Sequence, residues 1–180
     1  MDLSTAEVVA PVLETLLEVD GSLERTVSYI SFKGVSFEYA SWNRPSLYGH
    51  VTLQGGMYLK DAYKLAVPGL PEKAELENQA WIERPGASCS DIRIANNLIT
   101  EVTNEDWGCV GIGAGYVRNM TIEHNEVSYV NYSGICVGWG WTPLDSGMKN
   151  NRIHANYVHH FALQLYDAGG LYTLSNQPSS

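Results

Sequence analysis

A repeat constrains this chain more than any other feature. Ile92-Arg93-Ile94-Ala95-Asn96-Asn97-Leu98-Ile99, Met120-Thr121-Ile122-Glu123-His124-Asn125-Glu126-Val127 and Asn151-Arg152-Ile153-His154-Ala155-Asn156-Tyr157-Val158 lie over one another position by position. Each carries an apolar residue, an Asn three positions later, and an apolar position two beyond that. Val102, Val130 or Phe161 follows, and then a Gly that opens a second short strand. The Asn-to-Asn spacings are 28 and 31 residues. A period of that length, built from short alternating strands, marks a solenoid whose coils stack their cores.

Within each copy, Ile94, Ile122 and Ile153 alternate with polar neighbours at period two, the mark of a half-buried strand rather than a helix. The branched and ring-bearing residues around them suit a pleated surface. Asn97, Asn125 and Asn156 recur at one point of the coil. A carboxamide has two donors and an acceptor, so stacked copies can bond one another along the axis. Asn also tolerates the left-handed backbone of a tight corner. The pattern therefore predicts a parallel β-helix with an internal Asn ladder and with these asparagines at its corners. A weaker copy, Ile30-Ser31-Phe32-Lys33-Gly34-Val35-Ser36-Phe37, keeps the apolar frame but has Val35 in the ladder position.

One hundred and eighty residues suffice for a single domain. Charged residues make up only 17% and glycines number 17, as stacked strands joined by tight turns would require. The formal charge of −9 argues against nucleic acid or an anionic membrane as partner and suits a neutral or weakly charged ligand. No stretch is apolar for long enough to form a transmembrane helix, and no signal peptide is visible after Met1. Cys89, Cys109 and Cys136 are odd in number and lack metal-like spacing, so they read as small buried hydrophobes. No metal or other cofactor is expected.

The sequence divides into four regions. Residues 1–26 read either as a helix behind the capping box Ser4-Thr5-Ala6-Glu7, which Pro11 would break, or as a strand over Val12 to Val19. Residues 27–42 form a first coil. Residues 43–89 hold most of the prolines and many of the glycines, and read as a long excursion from the solenoid with Val51-Thr52-Leu53 as a short strand. Residues 90–174 carry three stacked coils. With no polar or helical cap after them, the chain is expected to be a piece of a longer solenoid.

The chemistry gathers where coils turn into their next strands. Asp167 precedes Gly170 by three residues, Glu105 precedes Gly108 by three, and Asn131 takes the corresponding place in the middle coil. Glu105, Asp106 and Asp167 are thus candidates to line one face. Paired carboxylates serve glycoside hydrolysis: one protonates the leaving oxygen, the other attacks or activates water. Coils advance about 4.8 Å each, so acids two coils apart have backbones roughly 10 Å apart, nearer the inverting range than the retaining one. Asp167 also suits a turn acid that binds local backbone N–H groups.

Around the acids stand Trp107, Tyr132, Trp139, Trp141, Tyr166 and Tyr172, a platform fit for sugar rings or, alternatively, for packing between a coil and the long loop. Strand alternation sends His159 and His160 to opposite faces, so at most one reaches the cleft, and His160 is carried as a substrate-binding candidate. His154 is placed opposite Glu123 as a surface pair.

Several segments together resemble the right-handed parallel β-helix proteins of polysaccharide-degrading bacteria, and glycoside hydrolase family 141 in particular. They are Trp42-Asn43-Arg44-Pro45-Ser46, Glu77-Asn78-Gln79-Ala80-Trp81, Asp106-Trp107-Gly108-Cys109-Val110-Gly111-Ile112-Gly113, Tyr132-Ser133-Gly134-Ile135, Val137-Gly138-Trp139-Gly140-Trp141 and Asp167-Ala168-Gly169-Gly170-Leu171-Tyr172-Thr173-Leu174. That family's described activities include α-L-fucosidase and xylanase. The resemblance implies a catalytic role for Asp167, a secreted parent acting on polysaccharide, and further coils on both sides. It also implies coils between Ala87 and Asp91, which here run almost directly together. A polysaccharide lyase and a non-catalytic carbohydrate-binding or structural solenoid are the alternatives on the same fold. The lyase needs a basic residue, often with Ca²⁺, and basic residues are scarce beside Asp167.

Overall fold

The computed structural model describes residues 8–13, 15–19, 25–41, 89–104, 107–115, 117–138 and 147–180. The chain divides into two units, Met1–Pro45 and Ser46–Ser180. Every element in the described residues is a β-strand, and among them no helix is long and apolar enough to cross a membrane.

The second unit repeats four short strands. In the first pass they are β1 (Cys89–Ser90), β2 (Arg93–Ala95), β3 (Leu98–Thr100) and β4 (Ile112–Ala114). In the second they are β5 (Val117–Arg118), β6 (Thr121–Glu123), β7 (Glu126–Ser128) and β8 (Ile135–Val137). The third contributes β9 (Arg152–His154), β10 (Tyr157–His159) and β11 (Leu171–Thr173), with Lys149 bridging Arg118 where a first strand would lie. Every pairing is parallel and joins equivalent strands of successive passes: β2–β6–β9, β3–β7–β10, β4–β8–β11 and the pair β1–β5. The register sets Ile94 beside Ile122 and Ile153, and Ile99 beside Val127 and Val158. This matches the apolar frame read from the sequence.

The Asn ladder is present. Asn97 Nδ2 donates to Asn125 Oδ1 at 2.8 Å, and Asn125 Nδ2 donates to Asn156 Oδ1 at 2.9 Å. The same oxygens accept the backbone N–H of Asn97 and Asn125, and the Nδ2 atoms of Asn125 and Asn156 also reach the carbonyls of Ile94 and Ile122. Asn125 is buried, so its carboxamide has to find its partners within the protein.

The corner itself lies one residue earlier than the sequence suggests. Asn96, His124 and Ala155 adopt the left-handed conformation (φ 59°, 54° and 53°), and the ladder asparagines do not. A single left-handed residue ends one short strand and turns the chain; the Asn after it then points inward, where its carboxamide ties neighbouring backbone. Left-handed residues recur at five-residue intervals in each pass: Asp91, Asn96 and Glu101; Asn119, His124 and Tyr129; Asn150, Ala155 and His160. A second, exposed ladder joins the first residues of these series, Asn150 Nδ2 to Asn119 Oδ1 at 3.1 Å and Asn119 Nδ2 to Asp91 Oδ1 at 3.3 Å.

Met1–Pro45 shows the same backbone rhythm in its described part. Tyr29, Gly34 and Tyr39 are left-handed (φ 61°, 63° and 60°), which aligns Gly34 with Asn96 and Val35 with the ladder Asn97. No strand pairs there, and Ile30, Phe32, Val35 and Phe37 are exposed. Neither the helix nor the strand expected before residue 26 occurs in its described residues, and Val51-Thr52-Leu53 lies outside the described residues.

The core is centred on the middle pass. Ile122, Val127, Val130, Ile135 and Val137 are fully buried, whereas Ile94, Ile99, Ile153 and Val158 on either side are only partly covered.

Candidate functional site

The glycine register decides which residues face each other at the entry to the β4–β8–β11 sheet. Ile112 N–H donates to Gly134 O at 3.0 Å, and Ile135 N–H donates to Gly170 O at 2.9 Å, so Gly111, Gly134 and Gly170 stack. A Cβ on Gly134 would lie 2.8 Å from the Gly170 carbonyl oxygen, and one on Gly111 would lie 2.7 Å from that of Gly134. Backbone approach this close excludes a side chain at either position. Gly111, not Gly108, is therefore the partner of Gly134 and Gly170, and the residue three before it is Gly108 rather than Glu105. The middle pass reaches its glycine by a shorter loop, Ser128 to Gly134, than the flanking passes, Thr100 to Gly111 and His159 to Gly170. Asn131 belongs to the scaffold. It is buried, its Nδ2 donates to Thr103 O at 2.8 Å, and its N–H donates to Thr103 Oγ1 at 2.7 Å.

Beyond the glycines, alternation separates two faces. Ile112 and Ile135 turn into the core, as do Ala114 and Val137. Gly113, Cys136 and Tyr172 form the column on the opposite face. Gly113 is exposed, and Cys136 and Tyr172 are half-buried. Tyr132, two residues before Gly134, is also half-buried. Burial, and then the neighbouring Tyr172, Asp167 and Cys136, push the Tyr132 phenol above its ordinary value. Tyr172, Asp167 and Cys136 are thus close enough to act electrostatically on Tyr132. Burial likewise raises the Cys136 thiol, which keeps it a neutral, poorly nucleophilic part of the floor.

Asp167 sits on the loop leading into β11. It is exposed and left-handed (φ 55°), two residues before the Gly169 whose carbonyl accepts from Gly134 N–H at 3.1 Å. Ser133 Oγ accepts from Gly169 N–H at 3.3 Å and pins the same loop. The loop that carries the carboxylate is therefore tied to the Ser133–Gly134 backbone, and Asp167 itself is open to solvent. An acid with a phenol that stays protonated can accept and donate hydrogen bonds to one hydroxyl-rich ligand.

The other candidates divide. Tyr166 is 93% exposed and Trp107 is 51% exposed. Glu105, Asp106, Trp139 and Trp141 lie outside the described residues. His160 joins a different cluster: its ring stacks on Tyr129 at 4.6 Å and its Nδ1 meets His159 Nδ1 at 2.6 Å. The expectation that the two histidines diverge does not hold, because His160 lies past the end of β10 in a left-handed corner (φ 50°) where strand alternation has ended. The cysteines do not form the buried set expected: Cys89 is exposed, Cys109 and Cys136 are half-buried, and none of the three is in a disulfide. The pairing of His154 with Glu123 does occur, at 2.9 Å, with Arg93 on the other Glu123 oxygen. Cys136 escaped the sequence reading as a member of the site. Laying Gly134-Ile135-Cys136 over Gly170-Leu171-Tyr172 would have found it.

A solved structure named "Glycoside hydrolase" matches this chain with a TM-score of 0.51 and 53% sequence identity. The match covers 52% of this chain and 16% of that one, so the chain spans under a fifth of that structure's length. The likeness is thus to part of a protein of that name. No family model matches the chain. A search of curated proteins finds no relative.

Proposed function

We propose that this chain is the active-face segment of a right-handed parallel β-helix glycoside hydrolase, and that Asp167 is one of its catalytic carboxylates. The observation that carries this reading is the grouping of Asp167 with Tyr132 and Tyr172 beside the Gly113–Cys136–Tyr172 column. It is supported by 53% identity to a glycoside hydrolase. The all-parallel pairing of equivalent strands and the matching rhythm at Tyr29, Gly34 and Tyr39 support the β-helix and a first coil over residues 27–42. Family 141 is the grouping favoured by the Trp-Gly-Trp and Asp-x-Gly-Gly motifs.

In this reading Tyr132 and Tyr172 seat a sugar ring by its apolar face and hydroxyl edge, with Trp107, Trp139, Trp141, Tyr166 and His160 as further substrate contacts. Asp106 or Glu105 supplies the second carboxylate, across a gap fit for an inverting reaction. The parent acts outside the cytoplasm on plant or microbial polysaccharide.

The test is Asp167→Asn assayed by reducing-end release on a panel of plant and microbial polysaccharides. Loss of at least a thousandfold in hydrolysis, with the far-ultraviolet dichroism unchanged, is expected. Removing the Asp167 charge should also bring the ionisation of Tyr132 partway back toward 10, read by absorbance at alkaline pH against Tyr132→Phe. Undiminished hydrolysis in Asp167→Asn would end the catalytic assignment. Glycan binding by the unaltered chain without turnover would make it a binding module.

A further inference from the structure

The two histidines that close β10 form a cluster of their own with Tyr129, Tyr157 and Glu126. His159 Nδ1 and His160 Nδ1 face each other at 2.6 Å, with their rings nearly perpendicular at 78°. The outer nitrogen of His159, Nε2, lies 3.3 Å from Glu126 Oε1 one pass away. An ionised carboxylate only accepts, so in the neutral His159 ring this contact assigns the proton to Nε2 and leaves a lone pair on Nδ1. That lone pair points at His160, whose own Nδ1–H must fill the gap. A single proton therefore separates two imidazole nitrogens that would otherwise both present lone pairs to one point.

We propose that this point is a binding site for a divalent late first-row metal ion of tetragonal preference, Cu²⁺ or Ni²⁺, held by His159 Nδ1 and His160 Nδ1. The ion takes the place of the shared proton, which leaves His160 Nδ1 and is made good at Nε2 from solvent, so both rings stay neutral. Metal–nitrogen bonds of about 2.0–2.1 Å set the bite: nitrogens about 2.9 Å apart subtend a right angle, and a tetrahedral angle needs about 3.3 Å. The observed 2.6 Å is closer to the first, so the pair opens only slightly for a square-planar or octahedral ion and must open more for tetrahedral zinc.

Three features hold the rings in place. Tyr129 stacks on His160 with centroids 4.6 Å apart, and Tyr157 lies against His159 at 4.3 Å. Glu126 orients His159 through its outer nitrogen, the usual outer partner of a metal-bound imidazole. The parallel register of β7 and β10 brings them together, since it sets Glu126 beside Tyr157 and Ser128 beside His159, with Tyr129 and His160 next in line. Among the described residues no group of three His, Cys, Asp or Glu could hold a metal, so the pair supplies two ligands and water the rest. His160 is exposed and His159 retains 21% side-chain exposure, which leaves the open positions accessible.

The experiment is titration of the purified chain with Cu²⁺ alone, read by electron paramagnetic resonance and calorimetry. The expected result is one tight ion per chain with a tetragonal signal split by two nitrogens. His159→Ala and His160→Ala should each weaken it at least tenfold, and Glu126→Gln by about tenfold through the lost outer contact. The second histidine pair, His124 and His154, whose rings meet edge-on at 6.1 Å, serves as control: the double alanine variant there should bind Cu²⁺ as before. Unchanged affinity in the His159→Ala/His160→Ala double variant, or no stoichiometric ion in the unaltered chain, overturns the proposal. His160→Gln, which keeps the bulk at the corner, separates loss of the ligand from loss of the fold and should bind as weakly as His160→Ala.

Discussion

At the residue scale, the ladder concentrates its cost of disruption in one side chain. Asn125 bonds Asn97 above, Asn156 below and the Ile94 carbonyl, and it is buried. Asn125→Ala would leave the Asn97 N–H without its acceptor, remove one partner of the Ile94 carbonyl and open a void in the ladder, where an unmet buried group costs about 1–3 kcal/mol. A loss on the order of 2–4 kcal/mol in denaturant unfolding is expected, against under about 1 kcal/mol for Asn97→Ala at the exposed end of the ladder. Equal losses would show that the ladder is not cooperative with the core. Glu123 adds a pH dependence of known sign. The Arg93 hydrogen bond holds its carboxyl below the usual range against a smaller opposing effect of burial, with the Arg93, His154 and His124 charges adding to the lowering. A carboxyl lowered by folding stabilises above its unfolded value, about 4.3, and that contribution disappears as pH falls through the folded value. Between pH 7 and pH 3 the melting temperature should fall further for the unaltered chain than for Glu123→Gln.

At the element scale, the strands were legible and the joints were not. Period-two alternation around Ile94, Ile122 and Ile153 and the recurring Asn sufficed to set three short strands in correct register, because apolar frame and ladder impose the same alignment. The corners were hidden because left-handed backbone is carried by Glu101, Tyr129, Ala155 and His160 as well as by asparagines. No side-chain preference marks the first group; the stacked hydrogen bonds of the neighbouring passes hold them there, as the Glu101 N–H to Ser128 carbonyl bond shows. The glycine stack was obscured for another reason: unequal loops before Gly111, Gly134 and Gly170 break the sequence spacing while the backbone register persists. This is why the sequence aligned Glu105 with Asp167 through Gly108, a glycine outside the stack. Gly134→Ala tests the register directly. The added methyl meets the Gly170 carbonyl oxygen at 2.8 Å, backbone that can yield only by parting β8 from β11. Destabilisation of about 2–3 kcal/mol should appear in chemical denaturation. Gly113→Ala on the outer face meets only the Val110 side chain at 3.3 Å and should cost far less.

At the scale of the whole unit, stacking makes stability nearly one-dimensional, each pass depending on its neighbours. The middle pass has a neighbour on both sides and the flanking ones do not within the described residues. Ile122, Val127, Ile135 and Val137 are at most 1% exposed, while Leu171, aligned with Ile135, is 54% exposed. Both ladders also run through the middle pass, at Asn125 and Asn119. Local opening should therefore cost most there and progressively less outward. Amide hydrogen exchange followed by mass spectrometry reads this directly. Residues 117–138 are expected to exchange slowest, 89–104 and 152–174 faster, with the loop bearing Asp167 among the fastest of the last group. Uniform protection across the three passes would mean that the unit opens only as a whole. The graded pattern has a consequence for the candidate site, because its floor and its acid then belong to regions of different stability. Cys136 lies on the best-protected strand, and Asp167 sits on a loop pinned to it through Ser133 Oγ and the Gly134 N–H. Ser133→Ala removes one of those two ties without touching the acid. It should speed exchange at Ala168, Gly169 and Gly170 while leaving β6 and β7 unchanged, and faster exchange across the whole middle pass, or none at the loop, would contradict the arrangement.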